Sequence, residues 1–281
     1  MLKRLATYAR FVKFEHTIFS LPLVYAGAVL AARGWPSGRL SLLILTAAIG
    51  GRVVALGLNR IIDRHIDARN PRTQARELPA GRMQLAEAWC VVLVGLVLYL
   101  GSAAAIAPIC VWWSPVPVIL FAIYPYLKRC TTLAHFGLGL AWATAPLGGW
   151  LAVRQSWDAP VGVMLLALFA VCWVAGFDVL YAMQDVAVDV RDQLYSLPAR
   201  AGGCRAIHIS TLLHGIAWME LVLLCWLDLR HWIAIPFLIV ISGLLYWEHY
   251  GTNDLETAFF TINAILGFVV LGLVWAGVAA A

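Results

Sequence analysis

Apolar residues fill most of this chain in long blocks, each of about 20 residues and thus long enough to cross a hydrocarbon layer as a helix. Polar stretches separate them, and nine blocks can be placed: 17–33, 40–62, 86–107, 109–126, 133–152, 160–182, 207–226, 231–247 and 257–280. Turn signals mark several boundaries, among them Gly34-Trp35-Pro36-Ser37-Gly38, Arg154-Gln155-Ser156-Trp157-Asp158 and Asp228-Leu229-Arg230. The weakest boundary lies near Pro108, between the third and fourth blocks. Lipid offers the backbone no hydrogen-bond partner, so blocks of this length predict helices. The short alternating segments of a membrane barrel do not occur. The expected fold is all-α, a polytopic membrane protein. The basic start and first apolar run resemble a signal peptide, but more spans follow, and the run is read as a retained first helix.

Composition sharpens this picture. Hydrophobic residues make up 62% and charged residues 12%, with a mean hydropathy of +0.83. Soluble domains carry roughly 25% charged residues. The net charge of +5 does not indicate nucleic acid, because the basic residues follow the topology. Fifteen fall at the N-terminus and in the loops after the second, fourth and sixth spans. Four (Arg33, Arg39, Arg154 and Arg230) fall on the other side, and Arg52 lies within a span. The positive-inside rule puts the N-terminus and the long loops in the cytoplasm. An odd number of spans leaves the C-terminus outside. The six cysteines are scattered without a CxxC pair, which gives no zinc or disulfide pattern. The chain reads as one membrane domain over residues 1–281 in the inner membrane of a bacterium, with its chemistry at the cytoplasmic face.

Two acidic patterns close the second and sixth spans. In the first, Asn59, Asp63 and Asp67 stand four residues apart, so on a helix they form one stripe. In the second, Asp178, Tyr181, Asp185 and Asp189 are spaced for one helical face. A single such acid is ordinarily a water-facing charge at a helix end. Two stripes at one depth favour function, since ionisable groups in membrane spans are costly. Carboxylates gathered this way repel unless they share cations, and magnesium is a hard ion that takes carboxylate oxygens and substrate phosphates. The adjacent loops carry Arg72, Arg76 and Arg82, and Lys128-Arg129 follows on the same side. Acids beside guanidinium and ammonium groups suit a metal-chelated diphosphate. Arg52 lies about two turns deeper than Asn59 on the same helix. It must either pair with a protein carboxylate or receive a substrate anion. His16, His65 and His135 are read as packing or solvent-facing residues.

These patterns, NxxxDxxxD and DxxYxxxDxxxD in a nine-span chain, resemble the UbiA superfamily of intramembrane prenyltransferases. The stretch from Asn59 to Gly81, ending Glu77-Leu78-Pro79-Ala80-Gly81, is similar to the 4-hydroxybenzoate polyprenyltransferase branch. Arg60 departs from the Asn-Asp that opens the first motif in many members. The segment Lys13-Phe14-Glu15-His16-Thr17-Ile18-Phe19-Ser20-Leu21-Pro22 looks closer to relatives that prenylate 1,4-dihydroxy-6-naphthoate on the futalosine route to menaquinone.

The resemblance implies nine helices around a central cavity open sideways to lipid. It implies a polyprenyl diphosphate donor, an aromatic carboxylic acid acceptor and magnesium. Asp63, Asp67, Asp185 and Asp189 would hold two magnesium ions, assisted by Asn59. Arg72, Arg76, Lys128 and Arg129 would grip the diphosphate, and Arg52 would meet the acceptor's carboxylate. Asp178 and Tyr181 would line the reacting centre. Tyr181 is the first candidate for shielding an allylic cation, with Tyr124, Tyr126 and Trp142 behind it. The rival from another class is a cation- or proton-coupled transporter, whose acids would sit nearer the bilayer midplane.

Overall fold

The computed structural model describes residues 2–13, 20–158, 160–229, 232–251 and 258–280. The described residues form helices and no strands. They are α1 (Leu2–Phe11), α2 (Leu21–Ala32), α3 (Gly38–Asp67), α4 (Leu85–Ile106), α5 (Pro108–Trp113), α6 (Pro115–Leu127) and α7 (Ala134–Arg154). There follow α8 (Val161–Ala182), α9 (Val186–Arg191), α10 (Leu197–Ala201), α11 (Gly203–Leu224), α12 (Ala234–Tyr250) and α13 (Asn263–Ala280). Seven segments are long and apolar enough to cross a membrane, and α2 and α12 are shorter apolar helices. Each of the nine sequence blocks overlaps one of these. Arg230 and the segment 14–19, with His16, lie outside the described residues.

Three boundaries follow from local chemistry. The Ser37 hydroxyl accepts the Leu40 N–H and starts α3. The Glu87 carboxylate reaches back to the Gln84 N–H at 2.8 Å and starts α4. Ala107 is extended between Ile106 and Pro108, so the weak boundary is a break, and the fourth span is built from α5 and α6 in succession. Proline fits the first turn of a helix without losing a hydrogen bond, and Pro108 and Pro115 occupy that place in α5 and α6.

Two expected boundaries are corrected. The second span does not end near residue 62 but continues to Asp67, so the whole first motif is helical. The sixth span is not one continuous face through the second motif. It ends at Ala182, passes through a 3₁₀ turn at Met183–Asp185 and resumes as α9. The tighter turn re-aims Asp185 toward the loop after α3, where its partners lie.

Packing is closest where glycines meet backbone. A Cβ on Gly27 of α2 would stand 2.0 Å from the Pro146 carbonyl oxygen, and one on Gly149 of α7 would stand 1.9 Å from that of Val24. Without a hydrophobic drive between helices in lipid, such small-residue contacts let backbones approach closely. The main core joins α2, α7, α8, α11, α12 and α13 around Phe169, Trp173 and Phe177. A buried polar chain ties the last helices to it. The Trp173 indole N–H donates to Asn263 Oδ1 at 2.7 Å, and the Asn263 amide donates to Glu248 Oε1 at 2.6 Å. His214 and His249 meet nearby at 3.0 Å. At the other end Phe11 of α1 packs with Val54, Ile61 and Val92 of α3 and α4.

Candidate functional site

The ends of α3 and α8 come together through the loops that follow them. On α3, the Asn59 amide donates to Asp63 Oδ2 at 3.2 Å. Asp63 is buried, and its two oxygens take Lys128 Nζ at 2.6 Å and Arg129 Nη2 at 3.2 Å. Asp67 receives Arg76 Nη1 on both oxygens, at 2.7 and 2.8 Å. The loop between them is pinned to the helix end by the Thr73 hydroxyl, which donates to the Asp67 carbonyl at 3.1 Å.

Asp185 is reached from that same loop. The Asn70 amide donates to its Oδ1 at 2.7 Å, and Arg72 Nε donates to the same oxygen at 3.0 Å. Arg72 also donates to the Tyr181 hydroxyl at 2.7 Å, with its guanidinium 4.9 Å from the Tyr181 ring centroid. Burial alone would lower the pKa of Arg72, but the Asp185 carboxylate and the Tyr181 oxygen more than offset it and hold the group above its ordinary value. Arg69 closes the seam with Asp192 at 2.9 Å. The Tyr195 N–H donates to the Lys128 carbonyl at 2.7 Å and joins the loop after α9 to the turn after α6. Asp189, on α9, lies among Asp185, Lys128 and His135.

The structure thus gathers the eight acids and bases expected to handle metal and diphosphate, and it does so in a particular way. Arg72, Arg76, Lys128 and Arg129 do not stand free but neutralise Asp185, Asp67 and Asp63. Among the described residues no three acids, histidines or cysteines are close enough to hold a metal as they stand. The donor set itself fits a hard cation, because it offers carboxylate oxygens and amide oxygens without a competing thiolate.

Beneath this mouth lies an apolar cavity of about 160 Å³ whose lining includes Arg52, Tyr124, Trp142, Thr144, Tyr99 and Phe121. Among the described residues, no carboxylate pairs with Arg52. Its guanidinium lies 5.4 Å from the Trp142 ring centroid, and its Nε is buried with no hydrogen-bond partner. Tyr124 sits between cavity and mouth, within electrostatic reach of Arg52, Arg60, Asp63 and Asp178. Of the shielding candidates, Tyr124 and Trp142 line the cavity; Tyr181 stands above it against Arg72, and Tyr126 is exposed beside Arg129.

Three site residues escaped the sequence reading. Asn70 contacts Asp185 and carries no spacing signal. Arg60 is buried beside the first motif and registers in the sequence only as a departure. His135, read as a packing residue, is a correction: its Nδ1 lies 2.7 Å from Asp178 Oδ2. The Lys128-Arg129 pair shortly before it was the available signal. His65 is solvent-exposed, as expected.

Fold and site together define a membrane-embedded helical protein whose two acidic motifs meet over an intramembrane cavity. Residues 20–258 match the model of the UbiA prenyltransferase family, and the chain belongs to that family. It is 29% identical over 244 residues to a 4-hydroxybenzoate octaprenyltransferase of Yersinia pseudotuberculosis, covering 86% of this chain and 80% of that one. Its fold superposes on the apo structure of a UbiA homolog from Aeropyrum pernix K1 with a TM-score of 0.82, at 30% identity over 95% of this chain and 98% of that one. A UbiA homolog from Archaeoglobus fulgidus bound to GPP and Mg2+ shares the fold, with a TM-score of 0.76 at 17% identity over 97% and 99% of the two chains.

Proposed function

We propose that this protein transfers a polyprenyl group from polyprenyl diphosphate to a ring carbon of 4-hydroxybenzoate, in the manner of a quinone-pathway enzyme, with magnesium as cofactor. The observation that carries the reading is the meeting of two acid–base seams over a cavity that holds a buried arginine with no carboxylate partner. The relatives' names and the magnesium-bound homolog support it.

The apolar lining of the cavity suits an aromatic ring, and the buried Arg52 guanidinium suits a carboxylate on that ring. In this assignment Arg52 receives the acceptor carboxylate within the cavity, about two helical turns below Asn59, and turns the ring's hydroxyl edge toward the mouth.

Asp63, Asp67, Asp185 and Asp189, with Asn59, would hold magnesium, which when bound offsets the negative charge of the diphosphate. Binding then requires the acid–base pairs to part. The carboxylates so released would be available to hold the cation, and the released bases would be available to the phosphate oxygens. Lys128, Arg129, Arg72 and Arg76 stabilise the charge that grows on the leaving diphosphate as the allylic C–O bond breaks. Aromatic faces of Tyr124, Tyr181 and Trp142 shield the allylic cation. The ring carbon ortho to the hydroxyl attacks the cation, and the proton on that carbon leaves. Burial keeps water from the cation. The active face is the cytoplasmic one by the positive-inside count.

The test is a turnover assay of purified protein in lipid nanodiscs with magnesium and a polyprenyl diphosphate. 4-Hydroxybenzoate and 1,4-dihydroxy-6-naphthoate are offered in parallel. A carbon-linked product of 4-hydroxybenzoate with diphosphate release supports the reading. Product only from the naphthoate moves the acceptor assignment. No product from either, with cation flux in liposomes, would leave the transporter reading in its place.

A further inference from the structure

Arg60 lies on α3, seven residues before Asp67, and so on nearly the same face. It is 6% exposed, and its Nε and Nη1 are sealed from solvent with no hydrogen-bond partner. Among the described residues it forms no ion pair. The charges that act on it are Arg76, Asp67 and Glu77. Both oxygens of Asp67 are occupied by Arg76. Glu77 is shared by Arg10 at 3.7 Å and Arg82 at 3.6 Å. Two carboxylates therefore face four guanidiniums, and the most buried of the four is the one without a partner.

A buried cation whose nearby carboxylates are taken up by other bases is unfavourable. Packing alone does not call for a charge here, since an apolar side chain of similar length would fill the same space without that penalty. A bound anion would explain it. Arg52 is eight residues deeper on the same helix, about 12 Å along its axis. The anion at Arg60 is therefore not the one that reaches Arg52 inside the cavity. It is the one held at the mouth, beside Arg76 and within electrostatic reach of the Tyr181 hydroxyl.

We propose that Arg60 is a further phosphate-binding residue of this site, a buried guanidinium that holds the diphosphate of the prenyl donor alongside the bases paired to the two motifs. The inference rests on the reading given under Proposed function. The same phosphate chemistry could reach Arg60 from a lipid headgroup, and the experiment separates the two.

Full-length protein in nanodiscs with neutral lipid is titrated calorimetrically with inorganic pyrophosphate in magnesium buffer, and the titration is repeated with phosphatidylglycerol in the disc. R60M is expected to weaken pyrophosphate binding by about 10- to 100-fold, the range for a charge-assisted hydrogen bond. R60K is expected to retain most of it. Without ligand, R60M should melt at or above the wild-type temperature, because it removes an unmatched buried charge. Unchanged pyrophosphate affinity in R60M, while the wild type still transfers prenyl groups, overturns the inference alone. A ligand-free R60M that melts lower or fails to fold also overturns it, by making Arg60 a structural residue. So does a loss seen only as altered phosphatidylglycerol dependence. Wild-type protein that binds pyrophosphate through Arg60 but transfers nothing sinks the enzyme reading and leaves this contact standing.

Discussion

His135 Nδ1 lies 2.7 Å from Asp178 Oδ2, and the opposite ring nitrogen, Nε2, accepts the Leu197 N–H at 3.2 Å. The second contact decides the first. A backbone N–H can only donate, so Nε2 carries no proton, and the ring is the neutral tautomer with its proton on Nδ1. His135 therefore donates to Asp178 and holds that carboxylate in one orientation, one helical turn before Tyr181. Because Leu197 opens α10, the loop after the second motif fixes the tautomer. If Asp178 accepts the ring proton, His135 is its positioning residue. The expected result for His135→Ala is a kcat lower by about 10- to 100-fold with pyrophosphate affinity unchanged, in line with the usual contribution of a positioned base. His135→Asn, whose amide can still donate, should recover part of the loss. A pyrophosphate affinity that falls together with kcat would count against a role confined to Asp178.

Asp63 is the acid with most to lose, since Lys128 and Arg129 both close on it. Asp63→Asn keeps the shape and removes the charge. Turnover should fall by roughly 10³-fold, the upper end of the range for one lost electrostatic contact at a reacting centre. Raising magnesium should not restore it. Asp185→Asn should behave alike and also loosen Arg72, its partner. Tryptophan fluorescence and melting curves check that both variants remain folded. Near-normal activity in either would remove the metal assignment.

Arg52 separates the two substrates. Its Nε is buried and its charge rests on Trp142, and no carboxylate among the described residues competes with an incoming one. Arg52→Met should raise the acceptor's KM by about 10- to 100-fold, the range of a charged hydrogen bond lost from a buried site. The donor's KM should hardly move. A donor effect equal to the acceptor effect would put the diphosphate, not the aromatic acid, in this cavity.

How much of this was legible in the sequence depends on the range of the signal. The helices were readable because lipid imposes length and apolarity block by block, and only the ends moved: α3 gained a turn beyond residue 62 and the second motif broke at Ala182. The first motif was readable because Asn59, Asp63 and Asp67 fall within two turns of one helix. Asp185 illustrates the limit. Its aim is set by Asn70 and Arg72, more than a hundred residues away, which draw it into a 3₁₀ turn that helical spacing does not anticipate. His135 and Arg60 were missed for the same reason. Whether a buried polar side chain packs or functions depends on partners that only the assembled helices supply. Arg52 was the exception, because a lone arginine within an apolar block is conspicuous without any partner.

The α2–α7 contact tests the fold apart from the chemistry. A Cβ on Gly149 would stand 1.9 Å from the Val24 carbonyl oxygen and 3.0 Å from the Ala28 N. These are backbone atoms of another helix, which cannot rotate away as a side chain would. Gly149→Ala must push the helices apart along the seam that also carries Gly27 and Pro146. Overpacking of this kind usually costs about 1–3 kcal/mol. Gly215→Ala on α11 is the control, because a Cβ there meets nothing within 4 Å. It should be neutral or slightly stabilising, since alanine favours the helix by about 1 kcal/mol over glycine. Thermal melting in detergent should therefore rank Gly149→Ala below wild type and Gly215→Ala at or above it. Because α7 lines the cavity through Ala145, Gly148 and Leu151, Gly149→Ala should also raise the acceptor's KM, whereas Gly215→Ala should not. Equal melting temperatures for the two variants would mean that α2 and α7 are not packed backbone to backbone.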